Sequence, residues 1–426
     1  MKNTLLGAVV WATLIVTAAP SWARQTEDDA TAYQLPKGWI IAPAPGLLPE
    51  PSLLSKFALS SETGFGSPPR EGLYVQTSGL ITGQGWISLG PGYRRTVLGG
   101  RGRVDMSAAV SWYLSSAAQV SFELPQVAHG RLSLGTEARY QDARRVDYFG
   151  LGNNSRESDR SAYRFRNVDV LGFGRVRAKP WLSIDGRVGW IPPPDLLAAS
   201  GPRPRVPSTI DAFTDAGAPG ISTQPAFIHG DVSVIADVLD HPSHPTSGGM
   251  YRATASAYAD RSAGAYSFRR YEIEAAQFIP LGTRRWVLGV HGWGVFSDTS
   301  AGRSVPFYLM PSLGGTNTLR GYFNYRFHDN DLQNINIESR VALLTHMDLA
   351  VFADEGKVAP DASHLGFHQA RTSYGAGVRF HSATSTLLRI DAGHSVEGWR
   401  VFIRVSDAFR RSQPASGRAV VMPFVP

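Results

Sequence analysis

Leu182-Ser183-Ile184-Asp185-Gly186-Arg187-Val188-Gly189-Trp190 sets an apolar residue at nearly every second position, with Ser, Asp, Arg or Gly between them. A period of two sends alternate side chains to opposite faces of a sheet, so this stretch reads as a strand with one greasy and one polar face. Ile335-Asn336-Ile337-Glu338-Ser339-Arg340-Val341-Ala342-Leu343 alternates in the same way, as do Tyr374 to Phe380 and Trp399 to Val405. No stretch after residue 23 shows a helical stripe, so the class is all-β.

Two architectures accept such strands. A sandwich hides the apolar face in a core, whereas a transmembrane barrel turns it to lipid and keeps the polar face on a wet lumen. The strands run about 9–14 residues, the length of a tilted bilayer span, where sandwich strands average nearer 5–6. Trp86, Tyr93, Trp112, Tyr140, Trp181, Trp190, Trp286 and Trp399 stand near strand ends, as in the aromatic girdles of membrane barrels. A closed barrel also leaves no unpaired edge, which hydrocarbon would not tolerate. The expectation is a transmembrane antiparallel β-barrel of about sixteen strands over residues 72–409. The longest links, 193–225, 299–331 and 356–371, all follow odd-numbered strands, while 179–180, 281–284, 344–345 and 382–384 follow even ones and are tight. Long loops therefore leave on one side and short turns on the other.

The flanks read differently. Met1-Lys2-Asn3, an uncharged apolar run from Leu5 to Pro20, and Ser21-Trp22-Ala23 form an export signal over 1–23. Residues 24–71 carry Pro36, Pro43, Pro45, Pro49, Pro51, Pro68 and Pro69, and are expected to form an irregular periplasmic segment or a strap across the barrel mouth. Residues 410–426 continue as a tail. The chain has no Cys, which excludes disulfide scaffolds, thiolate metal sites and cysteine nucleophiles. Its net charge of +7 comes from Arg, since Lys stands only at 2, 37, 56, 179 and 357. An exported barrel meets outer-membrane lipid and lipopolysaccharide with that charge, so nucleic acid is not an expected partner.

The link 299–331 carries the chemistry. It contains Gly314-Gly315-Thr316-Asn317-Thr318-Leu319-Arg320-Gly321-Tyr322, and the next two strands carry Glu338, Arg340 and Phe352-Ala353-Asp354-Glu355-Gly356. Alternation puts Glu338, Arg340, Phe352 and Asp354 on the lumen face. Either the loop folds inward and Arg320 is neutralised by those acids, or it stands outside and Arg320 meets water or lipopolysaccharide. Spacing alone leaves both readings open.

Leu319-Arg320-Gly321-Tyr322 resembles the [V/L]-R-G-[Y/F] motif on the sixth extracellular loop of the BamA/TamA (Omp85) superfamily of surface-antigen barrels, and Phe352-Ala353-Asp354-Glu355-Gly356 resembles its F-x-D-x-G strand motif. Asp237 to Gly249 is similar to the family's D-x-R…P-x-x-G turn before strand nine, with Leu239 in place of the arginine. Tyr148-Phe149-Gly150-Leu151-Gly152-Asn153 resembles a segment of its short members. The resemblance covers most of residues 72–409. It implies that the sixth loop folds into the barrel, that Arg320 pairs with Glu338 and Asp354, and that the protein resides in the outer membrane of a Gram-negative bacterium and acts in membrane biogenesis. Its implied mechanism is a weak seam between first and last strands, and Gly72, Gly79, Gly83 and Gly85 load the first of these.

Two features depart from the family pattern. Residues 24–71 are too few and too rich in proline for a POTRA module, the periplasmic domain of members that fold or secrete proteins. A client membrane protein or a separate periplasmic accessory protein is the partner this leaves open. Family barrels end on an aromatic that serves as an assembly signal; Phe409 fits that place on the lipid face, but the chain runs on to Pro426.

Other candidate sites are sparse. His364 and His368 with Asp361 have a metal-like spacing, yet Gly366 lies between them in a loop, and no metal or cofactor is expected. Arg187, Arg379, Arg389, Arg400 and Arg404 read either as an anion-attracting wall or as partners for acids such as Asp185 and Asp391. No Ser/His or paired-acid arrangement supports an enzyme. The expected function is therefore non-enzymatic, for a monomeric barrel that inserts or translocates proteins or lipids. The alternative is a passive channel or structural barrel on the same scaffold.

Overall fold

The period-two stretches become consecutive antiparallel strands. A computed structural model describes residues 44–404 and Phe409, apart from 64–70, 77–79, 82–87, 202–205, 242–243, 283 and 383–385. The export signal, most of the proline-rich segment, the tail, Trp86, Gly79, Gly83 and Gly85 lie outside the described residues.

One sheet of 17 strands forms the barrel wall. The strand Asp195–Ala198 pairs only onto its neighbour within a loop, which leaves 16 in the meander. These are β1 (Gly72–Gln76), β2 (Ser88–Val97), β3 (Gly102–Ser111), β4 (Ser116–Val127), β5 (Leu132–Tyr148), β6 (Ser161–Lys179), β7 (Leu182–Ile191) and β8 (Phe227–Asp237). They continue as β9 (Gly248–Asp260), β10 (Phe268–Pro280), β11 (Trp286–Thr299), β12 (Asp331–Leu344), β13 (Met347–Ala359), β14 (Arg371–His381), β15 (Thr386–Ser395) and β16 (Gly398–Arg404). Each predicted strand has its counterpart.

Register fixes the faces. Glu338 on β12 stands opposite Gly289 on β11 and Phe352 on β13, while Asn336 faces His291 and Asp354. That parity is buried in the lumen, whereas Val120, Ile184, Val188, Val232, Ile273, Ile337, Val351 and Val401 are exposed on the outside. Trp112, Trp181, Trp190, Trp286 and Trp399 are exposed too. An apolar band of this extent has no place on a water-soluble surface; it is the lipid face of a bilayer-spanning barrel. No helix among the described residues is long and apolar enough to cross a membrane.

The lumen is filled in layers. At the long-loop end Tyr148, Tyr163, Phe165, Phe227, Phe307 and Tyr308 form one apolar cluster that links the loops to the wall. Charged side chains occupy the middle. At the short-turn end the segment before β1 lies on the β12–β13 turn: Leu47 and Leu48 donate to the carbonyls of Ala342 and Leu343 at 3.1 and 2.9 Å. Glu50 accepts from the backbone and ring of His346 at 2.6 and 2.7 Å.

Two expectations are corrected here. The proline-rich segment is not wholly irregular, because Ser52–Thr63 forms helix α1. Pro51 immediately precedes it, a place where a missing N–H costs nothing, and the next twelve residues contain neither Pro nor Gly. Phe409 does not face lipid. Only 4% exposed, it stacks on His291 with ring centroids 5.4 Å apart and packs against Phe278 and Val287, all on the lumen side. The side-chain-free Gly289 leaves space beneath its ring.

Candidate functional site

The link between β11 and β12 turns back into the barrel. Its limbs are tied by the short pair Ser312–Leu313 with Phe327–His328. Its tip is held by Gly314 donating to the Thr318 hydroxyl at 2.9 Å and Tyr322 donating to the Leu319 carbonyl at 3.1 Å. Leu319 and Tyr322 anchor it by burial against Trp293, Val295, Phe327, Leu332 and Val358. At about 1.5–3 kcal/mol for each large apolar side chain removed from water, these two contacts outweigh any single hydrogen bond of the tip.

That anchoring carries Arg320 to the inner wall, where it is 1% exposed. Its Nη1 donates to Glu338 at 2.5 Å, and its Nη2 and Nε donate to the two oxygens of Asp354 at 2.7 and 3.0 Å. Its backbone N–H donates to Asp354 as well, at 3.0 Å. Beneath the guanidinium lies the ring of Phe352, 3.5 Å from its central carbon to the centroid, inside cation–π range. Burial opposes the arginine's charge, but Asp354 and Glu338 outweigh it and hold the group above its ordinary range.

The pair belongs to a larger balanced set. Arg379 donates to Glu338 at 2.8 Å and to Asp391 at 2.6 Å, and Arg389 stands 3.3 Å from Asp391. Three guanidinium groups thus face three carboxylates, so this set carries no net charge. Asn336 and Ser373 complete Asp354 with bonds of 2.9 and 3.1 Å. Desolvating charges costs several kcal/mol each, and only close pairing with every lone pair engaged offsets it. The arrangement joins loop to wall. It is a rivet that locks a loop to four consecutive strands, β12 to β15.

Leu319, Arg320, Gly321, Tyr322, Glu338, Phe352, Asp354 and Gly356 all meet here. Gly356 gives room to the loop, since a Cβ there would come within 2.8 Å of Leu313. Phe409 lies apart, at the short-turn end. Sequence reasoning missed Asn336, Ser373 and the role of Asp391, although alternation with Glu338 would have placed Asn336 on the lumen face. Of the two readings of the lumen arginines the structure shows pairing: Arg379 and Arg389 meet Asp391, Arg187 pairs with Asp231 at 2.9 Å and Arg400 with Glu157 at 3.0 Å, while Asp185 belongs to Arg175 instead. Adjacent strands supply Asp231 and Asp185, and the loop turn Glu157–Asp159 supplies Glu157. His364 bonds the Asp361 carboxylate at 3.0 Å in a one-turn 3-10 segment, Ala362–His364.

Neighbouring loops brace the tip from outside. Gly152 donates to the His328 carbonyl at 2.7 Å, and Arg326 reaches Glu397 at 2.7 Å and Ser155 at 2.8 Å. In the β8–β9 turn Asp240 accepts from Thr246 at 2.9 Å. Gly248 takes φ +90° there, where a Cβ would strike the Val238 carbonyl.

Residues 227–397 match the Omp85 superfamily domain. No curated protein matches the chain. Among solved structures it is similar to BamA from Haemophilus ducreyi lacking POTRA domains 1–3, at 15% identity and TM-score 0.56, over 79% of this chain and 69% of that one. It is also similar to CdiB from Escherichia coli, at 13% identity and TM-score 0.51, over 80% of this chain and 63% of that one. CdiB from Acinetobacter baumannii matches at 11% identity and TM-score 0.48, over 79% and 60%. At these identities the likenesses to BamA and to the Escherichia coli CdiB establish the fold alone.

Proposed function

We propose that this chain, an outer-membrane barrel of the Omp85 superfamily and of the BamA/TamA type, acts in outer-membrane biogenesis by inserting or translocating proteins or lipids. The observation that carries the reading is the rivet. The rivet drives a loop into the lumen and neutralises its arginine with acids of the wall. A barrel whose wall must open at one place gains a stiff half. Here the stiffness spans β12 to β15, which leaves the junction between the first and last strands of the meander as the place to open.

On this reading the barrel works as a monomer without enzymatic chemistry. Its surroundings are outer-membrane lipid and lipopolysaccharide, and its partners are client membrane proteins or a periplasmic accessory protein. The test reconstitutes the purified protein in lipid vesicles and follows the folding rate of a client barrel added from urea. Acceleration by the native chain, lost in Arg320→Ala, supports assembly. A steady conductance with no acceleration would make it a channel instead.

A further inference from the structure

Beyond the rivet, a cavity of about 30 Å³ lies at the short-turn end. One water needs only about 10–15 Å³ of such space, so a small polyatomic ion fits. Three guanidinium groups line it: those of Arg284 and Arg285 in the β10–β11 turn and of Arg340 on β12. Asp348 of β13 is the one carboxylate among the lining residues, and its oxygens already lie 3.2 and 3.3 Å from Nε2 of His244 and His381. The wall therefore carries an excess of positive charge.

Elsewhere in the barrel arginines stand beside acids: Arg94 has Asp105, Arg103 has Glu123 and Arg187 has Asp231. This cavity differs. Among the described residues no carboxylate pairs with Arg284 or Arg285. Arg285 gives its Nε to the Pro45 carbonyl at 2.9 Å, and Arg340, only 3% exposed, is engaged by the Pro245 carbonyl. Both acceptors are neutral, so neither cancels a guanidinium charge. His241 of the β8–β9 turn lines the cavity too, and its Nδ1 is buried without a hydrogen-bond partner among the described residues. Burial holds this ring below the ordinary imidazole range, and Arg284 adds to the effect, so the ring is neutral at pH 7 and has a single N–H to give. Cations drawn out of water and an unpaired ring nitrogen are unfavourable unless something negative meets them. An oxyanion does so, because its oxygens accept from several guanidinium forks and a ring N–H at once.

We propose that this cavity binds a phosphate group, held by Arg284, Arg285 and Arg340, with His241 Nδ1 donating to one of its oxygens. The bound group joins the β8–β9 turn, the β10–β11 turn and β12, which are far apart in sequence. Ala44 lines the same cavity and Pro45 holds Arg285, so the anion sits where the N-terminal segment docks. A free phosphate ion and the head group of an anionic phospholipid present the same oxygens to these donors.

The test uses the full chain, carrying no histidine tag, folded in uncharged detergent micelles at constant ionic strength, so that screening does not change during a titration. Calorimetry follows inorganic phosphate in one arm and short-chain phosphatidylglycerol in the other. Saturable binding of one phosphate group per chain is expected. Binding in the first arm marks a site for the free ion; binding in the second alone marks a lipid head group. Arg284→Gln and Arg285→Gln, both in a turn, are each expected to weaken binding at least about tenfold, the effect of losing one charge-assisted bond. Arg101→Gln, exposed in the β2–β3 turn, leaves it unchanged. Folded wild-type chain that binds neither probe overturns the proposal. So does equal weakening by all three variants, which is the mark of diffuse attraction to a basic rim, and so does binding that Arg284→Gln and Arg285→Gln both retain. The wild-type titrations need no variant, so a substitution that fails to fold does not remove the test.

Discussion

Arg320 grips a single carboxylate, that of Asp354, with its main chain and its side chain together: the backbone N–H, Nε and Nη2 all donate to it within 3.0 Å. The backbone bond makes the contact a statement about the loop's path as well as its charge. Arg320→Ala is expected to leave Glu338 and Asp354 under-neutralised in the lumen and to destabilise the barrel by about 3–5 kcal/mol, read from urea unfolding in vesicles. Arg320→Lys should recover only part of this, because an ammonium cannot fork onto two acids. A loss below about 1 kcal/mol for the alanine variant would show that the lumen is wet enough to solvate both acids.

A close approach on β15 makes a second, purely steric expectation. A Cβ on Gly393 would stand 2.1 Å from the Arg320 carbonyl oxygen, backbone against backbone. Gly393→Ala is therefore expected to push the loop off the wall without touching any charge. Protease added to the loop side of intact vesicles should cut within 300–330 at least about tenfold faster, since cleavage follows the population of the opened loop. Gly292→Ala is the control, because a Cβ there meets nothing within 4 Å. Equal cleavage of both variants would mean that the loop is not held against β15.

The strands were legible because lipid on one side and a polar lumen on the other impose a period of two that local sequence cannot disguise. The loop's partners were legible only in part. Glu338 and Asp354 follow from alternation and the motif, but Arg379 and Asp391 join through lateral neighbours whose register no single strand records. Helix α1 was hidden by prolines on either side of a stretch that itself contains none. Phe409 was misplaced because alternation carries no sign of the lumen-side space at Gly289 that receives its ring.

The docking of the N-terminal segment should depend on pH. Burial alone would raise the Glu50 carboxyl, but bonds from Ser55 and His346 outweigh it and hold it below the ordinary range. A carboxyl lowered in the docked state contributes stability above its undocked value, and that contribution is lost as pH falls through the docked value. Docking should hold at neutral pH and weaken below about pH 4. The cysteine-free chain allows one spin label at Leu53→Cys, an exposed position on α1. Its spectrum should sharpen on acidification, and Glu50→Gln should show the mobile spectrum already at pH 7. A label whose mobility is the same at both pH values, with and without Glu50, would mean that other contacts hold the segment.

The same absence of cysteine tests where the chain end goes. Phe409 is 4% exposed among Ala276, Phe278 and Val287, whereas Trp399 on β16 is 64% exposed on the outer face. A nitroxide at Trp399→Cys should collide freely with oxygen dissolved in the bilayer. One at Phe409→Cys should be shielded, with an oxygen accessibility lower by about an order of magnitude, because its neighbours are close-packed side chains rather than acyl chains. Truncating the ring should also cost stability: Phe409→Ala is expected to lose about 3–5 kcal/mol if the site cannot collapse, and less if β10 and β11 close over it. High oxygen accessibility at 409 would return the ring to the lipid face, where a terminal aromatic serves assembly rather than closure of the lumen.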